Sequence, residues 1–84
     1  MTKACRKDMR KLMKQGKNLE DLYQVIETLA EGRELAASYR DHNLTGNWRG
    51  RRECHIRPDW LLIYKIENGT LYLERSGSHS ELFS

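Results

Sequence analysis

Two apolar stripes at helical spacing, a following stretch of polar/apolar alternation, and an Asn-Gly turn between apolar runs predict an α+β fold for this 84-residue chain. The expected architecture is an N-terminal two-helix hairpin packed on a small, twisted, mainly antiparallel sheet of about three strands, forming one domain over residues 1–84. Only 38% of the residues are apolar and the mean hydropathy is −0.83, so the core must be small and the surface highly charged.

Ala4 to Gln15 reads as the first helix, with Cys5, Met9, Leu12 and Met13 on one face, and Gly16 ends it. Asn18 is placed to cap a second helix, whose first turn carries Glu20 and Asp21, favourable to the helix dipole. Its stripe is Leu19, Leu22, Tyr23, Ile26, Leu29 and Ala30, and Gly32 follows as the stop. A link this short between helices gives an antiparallel pair. Arg33 to Asn47 then connects helix to sheet, its first residues suited to one more helical turn.

Trp48 to Ile56 alternates, placing Gly50, Cys54 and Ile56 on one face and Arg49, Arg51, Glu53 and His55 on a fully polar face. Arg57-Pro58-Asp59 turns the chain. Trp60 to Ile66 is nearly all apolar, the pattern of a central strand buried on both faces. Glu67-Asn68-Gly69 is a hairpin turn, Thr70 to Arg75 the last strand, and Ser76-Gly77-Ser78 leads into a short tail.

Charge is unevenly distributed. Residues 1–17 carry a net +6, residues 18–45 a net −4 and residues 46–84 a net +1. The basic first helix, with Lys7, Arg10 and Lys14, suits an RNA backbone or an acidic protein partner, and a plain solvated face accounts for it equally well. No stretch approaches the ~20 apolar residues of a membrane span. The basic start lacks a following apolar run, so no secretion signal is read and a cytoplasmic location is expected. Cys5 and Cys54 are expected to be reduced, buried thiols.

The chemistry concentrates in residues 41–83. All three histidines, His42, His55 and His79, lie there, among Asp41, Glu53 and Asp59 and the cations Arg49, Arg51, Arg52, Arg57 and Arg75. Imidazoles exchange protons near neutral pH, and guanidinium groups fork onto phosphate. Those are the parts of a ribonuclease that needs no metal, and neither the histidines nor the cysteines have zinc-ligand spacing. Each residue also has an ordinary reading: a surface loop for His79, a cross-strand polar pair for His55, a backbone-bonding loop for His42, a Pro-Asp turn for Asp59. Trp48, Trp60 and Tyr64 read first as core, with Trp60 able to border the site. Arg75 interrupts the apolar parity of Leu71 and Leu73, which suggests phosphate binding, and Phe83 is free to stack on a base or to anchor the tail.

The residues DHNLTGNWRGRRECHIRPDWLLIYK, followed by LERSGSHSELF, resemble the YafQ branch of the RelE/ParE toxin superfamily. The resemblance covers residues 41–83, with the helical half fitting more loosely. It implies the RelE-like fold and an endoribonuclease that cuts messenger RNA on the ribosome without a cofactor or metal. It also implies a cognate antitoxin of the DinJ/RelB-like kind, bound in a toxin–antitoxin hetero-oligomer. By the same resemblance His42, His55, Asp59 and His79 are catalytic, with the family's tail aromatic at Phe83; Arg51, Glu53, Trp60, Arg75 and Phe83 are expected to bind RNA or phosphate beside them. Lys7, Arg10 and Lys14 would then meet ribosome or antitoxin. Family members place Asp where this chain has Glu53, and usually begin with a short strand that this chain is expected to lack, leaving a sheet edge open. The rival readings are a non-catalytic ParE-like toxin and a degenerate toxin that acts only by protein binding.

Overall fold

The computed structural model describes residues 1–83. Helix α1 covers Lys3–Lys14 and α2 covers Leu19–Ala30; both begin where their capping residues place them. Asn18 accepts the Glu20 N–H at 3.1 Å. Thr2 does more than cap. Its hydroxyl accepts the Cys5 N–H at 3.0 Å and donates to the Glu74 carbonyl at 2.7 Å, while its own N–H donates to the Leu73 carbonyl at 3.1 Å. The start of α1 is thereby tied to the outer edge of the sheet. Among the described residues no strand precedes α1, as expected.

The sheet has four antiparallel strands in the order β1-β2-β3-β4: His42–Asn43, Arg52–Arg57, Trp60–Glu67 and Thr70–Gly77. The extra strand, β1, is a two-residue pairing, with His42 opposite Glu53 and Asn43 opposite Arg52. The second strand begins four residues later than its alternation suggests. Gly46–Trp48 is a 3-10 turn and Gly50 takes φ +88°, a conformation no regular strand contains. The first residues of the connection after α2, expected to add a helical turn, are irregular, and a 3-10 turn forms further on at Ala37–Tyr39.

The central strand β3 is buried on both faces. Trp60, Leu62 and Tyr64 join Cys5, Leu12, Leu22, Val25 and Leu29 in the main core beneath the helices. Leu61 and Ile63 point the other way and are covered by Leu82, Leu44 and Trp48. Three stripe assignments are corrected by the packing: Met13, Tyr23 and Ala30 lie in solvent, and Val25 joins the core with the rest of the stripes. Both thiols are free and buried; burial pushes Cys5 up to about 11 and Cys54 up to about 12, so neither is a thiolate near neutral pH.

The chain closes with a five-residue helix, α3, His79–Phe83. Ser78 and Glu81 form a reciprocal capping box: the Ser78 N–H donates to Glu81 Oε1 at 2.9 Å and the Glu81 N–H to Ser78 Oγ at 3.2 Å. Glycine at 77 is what allows this, since a Cβ there would sit 2.9 Å from Glu81 Oε1.

Candidate active site

The face of the sheet away from α1 and α2 brings the three histidines into a row. The His42 and His55 ring centroids are 6.4 Å apart, and those of His55 and His79 are 5.9 Å apart. Phe83 continues the line 5.9 Å beyond His79, and Trp48 meets Phe83 edge-on at 6.3 Å. Three elements supply the row: β1 carries His42, β2 carries His55, and α3 carries His79 and Phe83. A bulge at the end of β2, between His55 and Arg57, interrupts the register beside the central imidazole.

Two carboxylates serve the row. Glu53 Oε1 lies 3.5 Å from His42 Nε2 and 3.4 Å from His55 Nε2. The other nitrogen of each ring faces a carbonyl: His42 Nδ1 donates to Arg40 O at 2.7 Å, and His55 Nδ1 stands 3.4 Å from Pro58 O. Since a carbonyl only accepts, His42 carries a proton on Nδ1, and its Nε2 is the nitrogen left to exchange one. At the other end, Asp59 Oδ1 accepts the His79 backbone N–H at 3.2 Å and faces His79 Nδ1 at 3.4 Å. Nδ1–H on Asp59 leaves His79 Nε2 turned to solvent on a half-exposed ring.

Several expected RNA contacts stand elsewhere. Trp60 is 2% exposed and its indole N–H donates to Ser76 Oγ at 3.0 Å; it is a core residue and offers RNA no face. Glu53, expected on a solvated polar face, is 4% exposed and works between two imidazoles, because Leu61, Ile63 and their cover enclose the middle of that face. The Arg75 guanidinium forks onto Asp8 of α1 at 2.7 and 3.1 Å, and that carboxylate holds it above the usual arginine range. This is a bond between helix and sheet, with both prongs taken. Arg51 pairs with Glu74 at 3.2 Å and keeps an exposed side. Phe83 is 41% exposed and extends the histidine row. Lys7, Arg10 and Lys14 line the solvent face of α1 with no ion pair among the described residues.

Supporting residues that the sequence reading did not single out hold both ends. The Tyr64 hydroxyl, otherwise buried, donates to Asp41 at 2.8 Å, and Arg52 bridges Asp41 at 3.1 Å and Asn43 at 2.8 Å. This lock fixes the segment on either side of His42. Burial, then the Asp41 carboxylate, raises the Tyr64 phenol far above its ordinary value, so it remains a donor. Under α3, Glu81 binds Lys11 at 2.6 Å and Gln15 at 3.3 Å. The Lys11 ammonium, followed by the Ser78 N–H, lowers the Glu81 carboxyl to about 2. The Ser-x-x-Glu spacing of residues 78–81 was the available signal for α3.

Comparison with known proteins places the chain in a family. Residues 1–84 match the family described as the bacterial toxin of type II toxin–antitoxin systems, YafQ. The chain belongs to the YafQ family of toxins. It is 40% identical over 78 residues to the mRNA interferase toxin YafQ of Escherichia coli, covering 92% of this chain and 85% of that one. The E. coli DinJ–YafQ complex contains a chain similar to this toxin with a TM-score of 0.92 and 36% identity, over 99% of this chain and 93% of that one. A metal-bound toxin from Helicobacter pylori is 48% identical with a TM-score of 0.91, over 98% and 93% of the two chains. No helix of this toxin, among the described residues, is long and apolar enough to cross a membrane.

Proposed function

We propose that this YafQ-family toxin is an mRNA interferase that cuts messenger RNA on the ribosome by acid–base chemistry, and that a DinJ-like antitoxin silences it. The observation that carries the reading is the row His42–His55–His79, with Glu53 between the first two imidazoles and Asp59 on the third. Such a row offers a proton acceptor and a proton donor a few ångströms apart, the spacing that in-line attack by a ribose 2′-hydroxyl on its own phosphate requires. One imidazole of the Glu53-linked pair takes the 2′ proton. His79, oriented through Nδ1 by Asp59, gives its Nε2 proton to the departing 5′-oxygen. The ester bond to that oxygen breaks as the 2′–phosphorus bond forms.

No metal is needed for either proton transfer. The test is single-turnover cleavage of a translated message, mapped by primer extension, with and without a chelator and across pH. Replacing His55, on the proton-accepting side, should remove the acidic limb of the rate profile and replacing His79, the proton donor, the basic limb. A ParE-like or degenerate binding protein would leave the message intact at every pH.

A further inference from the structure

Arg40 closes the Ala37–Tyr39 turn in a left-handed conformation that glycine or asparagine adopts more readily than arginine. Its φ and ψ are 51° and 42°, in the left-handed region where a Cβ crowds the backbone. Among the described residues the other non-glycine at positive φ is Asn68, in a hairpin turn where asparagine is common. The turn at Arg40 aims its carbonyl at His42 Nδ1, but a glycine would do that with less strain. The side chain therefore needs its own explanation, because strain of this kind gathers at functional sites.

The guanidinium offers one. It is exposed, in no ion pair among the described residues, and stands on the wall of a cavity of about 510 Å³ between the Ala37–Tyr39 turn and the Arg57-Pro58-Asp59 turn. Tyr39, His55 and Arg57 line the same cavity, and no carboxylate does. The volume suits one nucleotide. The Arg57 guanidinium is forked onto Asp21 of α2 at 3.0 and 2.7 Å, so the cation the wall offers is that of Arg40; with an aromatic ring and the central imidazole of the row, it matches an anionic phosphate carrying an unstacked base.

We infer that this cavity is the subsite for a nucleotide of single-stranded RNA adjoining the cleaved phosphate, with Arg40 on that nucleotide's own phosphate. The inference deepens the ribonuclease reading and rests on it. Arg40 is thus a binding residue, and the left-handed turn lets one residue both orient His42 through its carbonyl and hold substrate through its side chain.

The test uses Arg40→Gly, which removes the guanidinium and relaxes the backbone, and Arg40→Lys, which restores a charge at the same strained position. The probe is a trinucleotide of 2′-O-methyl RNA, which cannot be cleaved by 2′ attack, titrated into the free toxin and followed by backbone amide NMR and anisotropy. Amide shifts are expected at residues 38–40 and 55–57. Arg40→Gly should weaken binding about tenfold and Arg40→Lys should recover part of it. The slope of log affinity against log salt should shrink by about 0.7, the share of one cation on a single strand. In message cleavage, Arg40→Gly should raise KM and Arg40→Lys should bring it part of the way back. Absent binding, shifts confined to other residues, or a kcat loss with KM unchanged would each overturn the subsite. So would an Arg40→Gly variant that weakens only the antitoxin complex, since the cavity would then be a protein contact. Arg40-dependent binding by a toxin that cuts no message would instead overturn the ribonuclease reading and leave the subsite standing.

Discussion

The Glu81 carboxylate and the Lys11 ammonium meet at 2.6 Å, and this contact fastens the helix that carries His79 to the first helix of the chain. A five-residue helix is too short to persist alone, so α3 depends on this clasp, on its capping box and on Leu82 seated against Leu61 and Ile63. Glu81→Ala should cost about 1 kcal/mol, a modest figure because the lysine end of the pair is largely in solvent. Cleavage should fall further than stability does, since His79 and Phe83 both ride on the loosened element. The carboxyl is held down to about 2 against an ordinary 4.5, so its contribution is complete above about pH 4.5 and is lost as pH falls toward about 2. Thermal denaturation across that window should be flatter for Glu81→Gln than for the parent. Parallel curves would show that the clasp contributes nothing.

His79→Ala should reduce cleavage roughly 10²–10⁴-fold, the usual worth of one positioned proton carrier. An exposed side chain contributes little to the core, so the melting temperature and antitoxin affinity should stay near the parent values. Asp59→Asn should reproduce a smaller part of the loss by releasing the ring from its orientation. Cleavage assays run beside thermal melts and antitoxin titrations decide the matter. An unaltered rate for His79→Ala would remove it from the chemistry.

Glu53 is a buried carboxylate whose polar neighbours are two imidazoles, and Glu53→Gln keeps its volume while removing its charge. The amide still offers one acceptor, so the fold should survive. With the charge gone, neither ring is held as firmly, and the rate should drop about tenfold or more. Amide exchange near His42 and His55 should rise in step. A full-rate variant would mean that the carboxylate is only a packing residue.

Lys7, Arg10 and Lys14 fall at helical spacing on one face of α1, which the sheet does not cover. Changing all three to Glu should weaken ribosome association and make the remainder less sensitive to salt. Single-turnover cleavage at saturating ribosome should be unaffected, because none of the three reaches the histidine row. A hundredfold loss at saturation would place this face in the chemical step.

The parts of the fold legible in the sequence are those where a local pattern has one structural meaning. The Asn18 cap, the apolar run from Trp60 and the Asn68-Gly69 turn all sit where their patterns put them. The strand expected from Trp48 starts only at Arg52, because alternation among small and charged residues does not constrain the backbone, and Gly50 bends it. Strand β1 is two residues long, and its existence depends on Tyr64 and Arg52 gripping Asp41, contacts separated by 23 and 11 residues. The histidines, Phe83 and Asp59 were legible as one chemical group. Arg75 and Trp60 were misplaced for a shared reason: sequence parity cannot show that Asp8 and Ser76 wait within hydrogen-bonding distance. The handover of Glu53 from polar face to buried bridge likewise needs Leu82, which arrives from the far end of the chain.

The two tryptophans occupy unlike surroundings, and this gives the molecule a built-in optical gauge. Trp60 is sealed in the main core with its indole N–H on Ser76, so its emission should follow global unfolding alone. Trp48 is half-buried, edge-on to Phe83 at the end of the histidine row. Its spectrum reads whether α3 is seated. In a Trp60→Phe background, a red shift of Trp48 before the main transition would show the site coming apart while the rest of the domain is still folded, with no label attached.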